Sequence, residues 1–473
     1  MTLFFSLNIL FLFKIIYSSY ISIPFEVQNF KNEKNTKIIN NYIYKDILVK
    51  FLVGNPPQKV QLSACLGEFT TFIISKDARG FEGGTYNKNL SDTYSSLSES
   101  QYYIFQTFSE GITSKENFII EQSNNEINGL EFMLVNDVVE NNCYSFYCEV
   151  LIQPGILGFL LAQQRFFDEN VTNINFIPQL KKKNLISNYD FNFHFISENS
   201  GNIIIGEKPH EYNNSHYKEE NYIRISTSLI GNDLDWSLSF DNIYFGEEVL
   251  GNNNPILFRI EFGFIMGSYT WDNFLKKEFF NKLIEEKKCF RDYFHDLGST
   301  SHFYYCNKTT DISKFKPFIF CINQYNYNFT LTYKDLFIEV EDKYLFLMLI
   351  GGLSEIIFGY PFLKKYQLIF NQDTKTIGFY TDISSNISSN ISINISSDIR
   401  KDKENPAGSN LMYYIAISIL GLILISLITI AIVCYVKRKK NNKKNASELS
   451  NEQYEENLNK NKGILIDDDF KFN

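Results

Sequence analysis

Residues 54–74, "GNPPQKVQLSACLGEFTTFII", set an apolar strand, a second apolar strand and a Thr-rich apolar strand around two tight turns. The first turn, Gly-Asn-Pro-Pro-Gln, carries residues that favour turns for separate reasons: glycine accepts unusual backbone angles and proline fixes φ. The strand after it climbs to Cys65-Leu66-Gly67-Glu68, and the chain then turns back through Thr70 and Thr71. A strand that climbs to a Gly-containing apex and returns presents the apex residues at its tip. What stands at that tip decides the chemistry.

Further along, short runs rich in Ile, Val, Phe, Tyr and Thr alternate with Asn, Gly, Ser and Asp clusters, which is a β texture. Strands are expected at Ile47 to Val53, Lys59 to Leu62, Asn117 to Glu121, Phe191 to Ser197, Asn202 to Gly206, Trp236 to Phe245, Pro317 to Ile322 and Tyr366 to Asn371. Helices are expected at Ile177 to Leu185 and Thr270 to Glu285. One pattern occurs twice, in "PGILGF" (154–159) and "EIIFGYPFL" (355–363). Each places apolar residues on both sides of a Gly, as a buried strand needs where another backbone approaches closely. Two such elements in two halves imply a duplicated, two-lobed fold.

With 473 residues and 44% apolar content the chain can build more than one domain, and 45 Phe with 30 Tyr supply a large core. A net charge of −9 without a strongly basic patch ahead of residue 437 excludes a nucleic-acid partner on electrostatic grounds. The first stretch, "MTLFFSLNILFLFKIIYSS" (1–19), is apolar and ends in small residues, as a signal peptide does, although it has no basic start and Lys14 interrupts it. Residues 411–436 carry no charge, are long enough to cross ~30 Å of hydrocarbon as a helix, and are followed by "KRKKNNKK". A cationic flank stays on the cytosolic side. The expected layout is therefore signal peptide 1–19, N-terminal lobe 20–215, C-terminal lobe 216–383, stalk 384–410, transmembrane helix 411–436 and cytosolic tail 437–473. That is a single-pass type I membrane protein whose large part is luminal or extracellular.

The Ser/Asn-rich stalk holds glycosylation sequons at Asn386, Asn390 and Asn394, and others occur at Asn89, Asn170, Asn213, Asn307 and Asn328. In such a compartment cysteines pair. Proximity points to Cys143 with Cys148 and to Cys289 with Cys306, although six luminal cysteines allow fifteen connectivities. No zinc-ligand spacing is present, so neither a metal nor another cofactor is expected. A monomer is expected.

In order along the chain, "VGNPPQKVQL", "NLSDTY" (89–94), "PGILGF", "NFIPQLKKKNLI" (175–186) with "FNFHFI" and "GNIIIGE", "WSLSFDNIYFG" (236–246) and "EIIFGYPFLKKYQLIFNQDTKTIGFY" (355–380) resemble the pepsin-like aspartic protease family. The resemblance runs from about Tyr44 to Tyr380. It implies a mainly β, bilobal fold with a peptide-binding cleft between lobes and one catalytic Asp-Thr-Gly-Ser tetrad from each. Carried onto this chain residue by residue, the first tetrad falls on Cys65, Leu66, Gly67 and Glu68. The second falls on Glu261, Phe262, Gly263 and Phe264, in "PILFRIEFGFIMG" (255–267). The motif glycines Gly67 and Gly263 remain; neither aspartate does. The flap segment "QYYIFQTFSEGITS" (101–114) lacks the family's Tyr-Gly-x-Gly; the register there falls closest to Ile104, with Tyr102 or Tyr103 beside it as the candidate flap tyrosine.

The family reaction needs two carboxylates sharing one proton, the ionised one activating water and the protonated one donating to the carbonyl oxygen. A thiol with an ordinary pKa of ~8.5 does not share a proton in that way. Cys65 and Glu261 are therefore degenerate catalytic positions, while Leu66, Phe262 and Phe264 replace the supporting hydroxyls and, with Tyr103, would line a cleft for substrate or ligand. No Asp-Thr-Gly or Asp-Ser-Gly occurs elsewhere; the nearest decoy, "DLGSTS" (296–301), follows a segment too polar for a buried strand. No motif links any of the five His to Cys65 as a base. Two readings of function remain: an inactive, membrane-anchored homologue binding a peptide or protein in the inter-lobe cleft, and an active aspartic endopeptidase with a non-standard dyad.

Overall fold

The computed structural model describes residues 20–29, 40–81, 83–104, 107–123, 125–138, 154–161, 174–230, 233–252, 254–294, 301–351 and 356–381. These fall within one compact unit, Met1–Ile393. Its strands follow from alternation. In Ile21–Asn29 the side chains of Ile21, Ile23, Phe25 and Val27 point inward and their neighbours do not. This strand pairs antiparallel with Ser200–Ile205 from Ile21 to Glu26, and with Lys45–Val53 from Phe25 onward. Pro24 thus sits where the strand has one neighbour, and its missing N–H costs no ladder bond.

Gln58–Cys65 rises to the first apex and Phe72–Arg79 returns from it. Gly155–Gly158 inserts between them, parallel to the first (Ser63↔Ile156, Cys65↔Gly158) and antiparallel to the second (Phe72↔Ile156). The second half repeats the device. Asn254–Phe258 rises, Ile265–Gly267 returns, and Ile356–Phe358 runs parallel to the first (Ile256↔Ile356, Phe258↔Phe358) and antiparallel to the second (Ile265↔Phe358). The repeated motif glycines are explained by contact. A Cβ on Gly158 would lie 2.7 Å from the Phe69 carbonyl, and one on Gly359 would lie 2.2 Å from the Phe264 oxygen and 2.3 Å from that of Phe262. Backbone cannot yield as a side chain does. Gly359→Ala is therefore expected to cost about 3 kcal/mol or more, read by chemical denaturation, whereas a cost under ~1 kcal/mol would show that the apex loop is free to shift.

The end of the described chain is stitched to its beginning. Ile369–Asn371 pairs with Asp190–Phe195, and Thr376–Tyr380 pairs with Tyr222–Ser226, extending the first sheet to thirteen strands; a nine-stranded and a four-stranded sheet build the second half. Trp236 Nε1 donates to the Phe159 carbonyl at 2.8 Å, and across this junction the rings of Phe191 and Phe370 stack while Trp236 meets both edge-on.

Three expectations are refined. The run from Trp236 to Phe245 is two strands in different sheets, Ser237–Phe240 and Asn242–Phe245, divided at Asp241. Tyr366 closes a helix, Tyr360–Tyr366, because Gln367 turns into the left-handed region (φ 46) before the strand at Ile369. The expected helix 270–285 contains a π-helical turn, Lys276–Phe280, between α-helical Tyr269–Leu275 and Asn281–Glu285.

Cys289 and Cys306 are directly opposite in a hairpin and form a disulfide, while Cys65 and Cys321 are free. Cys143, Cys148, the stalk sequons Asn386, Asn390 and Asn394, the segment 1–19 and the span 411–436 lie outside the described residues. Among the described residues no helix is long and apolar enough to cross a membrane.

Candidate active site

Both apices are buried. Cys65 is 1% exposed, Glu261 2%, Leu66 0%, and Phe262 and Phe264 1% each. The Cys65 thiol lies near the Glu261 carboxyl, whose Oε2 accepts from the Leu66 N–H at 3.2 Å. The two apex positions are thus brought together. Burial pushes the Cys65 thiol well above its ordinary value, and the nearby carboxyls of Glu261 and Glu68 add to this. Burial also pushes Glu261 upward, against the pull of Arg259, the Leu66 N–H and the nearby Cys65 thiol. Both groups favour their neutral forms.

The structure adds residues that the tetrad positions do not include. Arg259 stands just past the strand Asn254–Phe258 and opens the turn that carries Glu261, the Phe262 N–H donating to the Arg259 carbonyl at 3.2 Å. Its guanidinium engages Asp235, Nη1 to Oδ1 at 2.9 Å with Nη2 on Oδ2, and Nη1 also donates to the Phe258 carbonyl. Arg259 Nε lies 3.8 Å from Glu261 Oε1, too far for a hydrogen bond. The stretch "FRIEF" carries the signal: two charges inside an apolar run need partners when buried. Glu68, at the tetrad serine position, folds back and accepts the Phe69 and Thr70 N–H groups at 3.0 and 2.9 Å. It caps its own turn.

The surviving glycines have local causes. A Cβ on Gly67 would stand 2.6 Å from Glu261 Oε1 and 3.0 Å from Arg259 Nε, so Gly67 makes room for the longer acid. A Cβ on Gly263 would stand 1.8 Å from the Tyr42 carbonyl, because the chain's own residues 42–45 lie along the second apex. Gly263 N–H donates to Ile43 O at 2.7 Å, Lys45 N–H donates to Glu261 O at 2.9 Å, and Tyr44 bridges Phe262.

The model of the eukaryotic aspartyl protease family matches residues 48–381, more than half of the chain. The chain belongs to that family. No curated protein matches it. As an aspartyl protease family member it keeps the two crossed apices, and residues 65–68 and 261–264 at them contain no aspartate. Phe262, Phe264, Ile43, Tyr44 and Cys65 join one apolar cluster with Met133, Val135, Leu347 and Leu349, drawn from both halves. Leu66 packs instead in the larger core beneath. Nothing is described of the Tyr103 side chain, and the decoy aspartate at 296 lies outside the described residues. Among the described residues no cluster could hold a metal.

Asp46, next to Lys45, is a further buried acid. Burial raises it to about 7, partly offset by a hydrogen bond with Ser63. A folded-state pKa above the unfolded one means that the native chain holds this proton more tightly. The stability it gives is complete below pH ~4 and is lost as pH rises through about 7. Asp46→Asn is expected to flatten the stability profile across that window and to stabilise the protein above it by about 1–3 kcal/mol. Denaturation at a series of pH values checks this, and an unchanged profile would remove Asp46 as its source.

Proposed function

We propose that this chain is a non-hydrolysing, membrane-anchored member of the aspartyl protease family that acts by binding a peptide or protein. One observation carries the reading: the apices present a buried thiol and a buried carboxyl, both favouring the neutral form, where hydrolysis needs one ionised and one protonated carboxyl in contact. A thiol in place of one carboxyl does not share the proton through which the pair activates water. Leu66, Phe262 and Phe264 supply no hydroxyl to orient a reacting group. The membrane anchor, signal peptide and luminal placement rest on the sequence patterns of residues 1–19 and 411–440.

A two-lobed β scaffold takes extended peptides through backbone hydrogen bonds, with side-chain pockets adding selectivity. Phe262, Phe264 and Tyr44 pack in one buried apolar cluster, so a ligand laid across the apices would rest on an apolar base. The test uses the full chain in detergent, offered a peptide library between pH 3 and 7 and a hydroxyl-bearing transition-state mimic. No cleavage and no binding of the mimic are expected. Micromolar binding of the mimic, which grips paired carboxylates, would overturn the reading.

A further inference from the structure

The strand Tyr327–Leu331 alternates strictly: Tyr327, Phe329 and Leu331 face the core, and Asn328 stands exposed on the outer face. Asn328-Phe329-Thr330 is a glycosylation sequon. Directly across the ladder from Asn328 is Cys321, and across from Cys321 on its other side is Asn242, so the three form a row on the outer face of the four-stranded sheet. Side chains directly opposite in an antiparallel pair lie ~5 Å apart at Cβ. Cys321 is not disulfide-bonded. It is 8% exposed, and burial with the nearby Asp241 carboxylate raises its thiol.

We propose that Asn328 carries an N-linked glycan whose first sugars lie over the unpaired Cys321 and keep it from disulfide exchange. The proposal rests on the secretory placement given under the proposed function. The donor is a lipid-linked oligosaccharide pyrophosphate. The Asn328 amide nitrogen forms a bond to the anomeric carbon, the bond from that carbon to the pyrophosphate breaks, and an amide proton is given up. The acceptor is modified on the unfolded chain, and the fold decides only whether the sugar can be housed. Asn328 houses it because its side chain is exposed on the outer face, pointing away from the core that Tyr327 and Phe329 enter. Asn307 contrasts with it: half-buried, its amide donates to the Lys287 carbonyl at 3.2 Å.

Thiol reactivity follows exposure, so removing the sugar should speed labelling of Cys321 about ten-fold. The full chain is produced in a secretory eukaryotic host, site occupancy is mapped by mass spectrometry, and maleimide labelling of Cys321 is compared before and after enzymatic deglycosylation of the native protein. Thr330→Ala, which removes the sequon but keeps Asn328, should reproduce the fast labelling. Occupancy at Asn328 with faster labelling after deglycosylation is the expected result. Glycan on the stalk sequons with Asn328 bare would overturn this inference and leave the secretory placement standing. No glycan at any sequon would overturn both, and occupancy with unchanged labelling would show that the sugar does not cover the thiol.

Discussion

Arg259→Leu is expected to destabilise the protein by about 3–5 kcal/mol, because removing one partner of a buried ion pair leaves an uncompensated charge. Arg259 is 4% exposed and faces two acids, Asp235 through two hydrogen bonds and Glu261 at 3.8 Å. Without the guanidinium the Asp235 carboxylate loses the cation opposite it, and the junction between the two halves must open to water around it. Adding Asp235→Asn and Glu261→Gln to the leucine variant should restore most of the stability, since the three side chains then carry no charge to bury. Chemical denaturation of the parent and both variants measures this. A loss below ~1 kcal/mol for Arg259→Leu alone would mean that solvent reaches the cluster.

The second large effect is an absence of rescue. Restoring both aspartates, Cys65→Asp with Glu261→Asp, is expected to leave peptide hydrolysis undetectable, at least ~10³-fold below a competent enzyme, because one missing transition-state donor alone costs about 10²–10³. Three features resist the repair. Leu66, Phe262 and Phe264 offer no hydroxyl, Arg259 beside position 261 favours an ionised acid over a shared proton, and residues 42–45 remain laid on the second apex. A shorter aspartate side chain at position 261 also gives up reach toward the Leu66 N–H that Glu261 uses. Cleavage of a peptide library by the double variant at pH 3–5 would show that the surrounding substitutions are incidental and that the two aspartates were all that was missing.

Much of the scaffold was readable from local pattern. The strand at Lys59 to Leu62 extends to Cys65 in the structure, and that at Phe191 to Ser197 is Asp190–Phe195. The motif glycines at 158 and 359 meet the close backbone contacts that their repeated setting implied. Boundaries were less legible where a single residue changes direction. Asp241 passes the chain from one sheet to another, and Gln367 ends a helix by a left-handed turn; neither is a Gly or Pro that would have announced it. At the site, the tetrad positions followed from counting along an ungapped match, but Arg259, Asp235 and Glu68 did not. Their roles depend on which buried charge they meet.

The sequence by itself determined the β architecture and the duplicated crossing, because each is written in periodicity or in a motif, and it left the pairing of Cys289 with Cys306 as one of fifteen connectivities from which the structure selects. Only the tertiary structure decided that the Glu261 carboxyl reaches the Leu66 N–H beside Cys65, that Asp235 holds Arg259 beside them, and that Tyr42 to Lys45 run along the second apex. Leu66 and Glu261 are separated by 195 residues. Contacts across such a distance are fixed by how two crossings pack against each other, and side-chain charge, length and burial then settle which atoms meet.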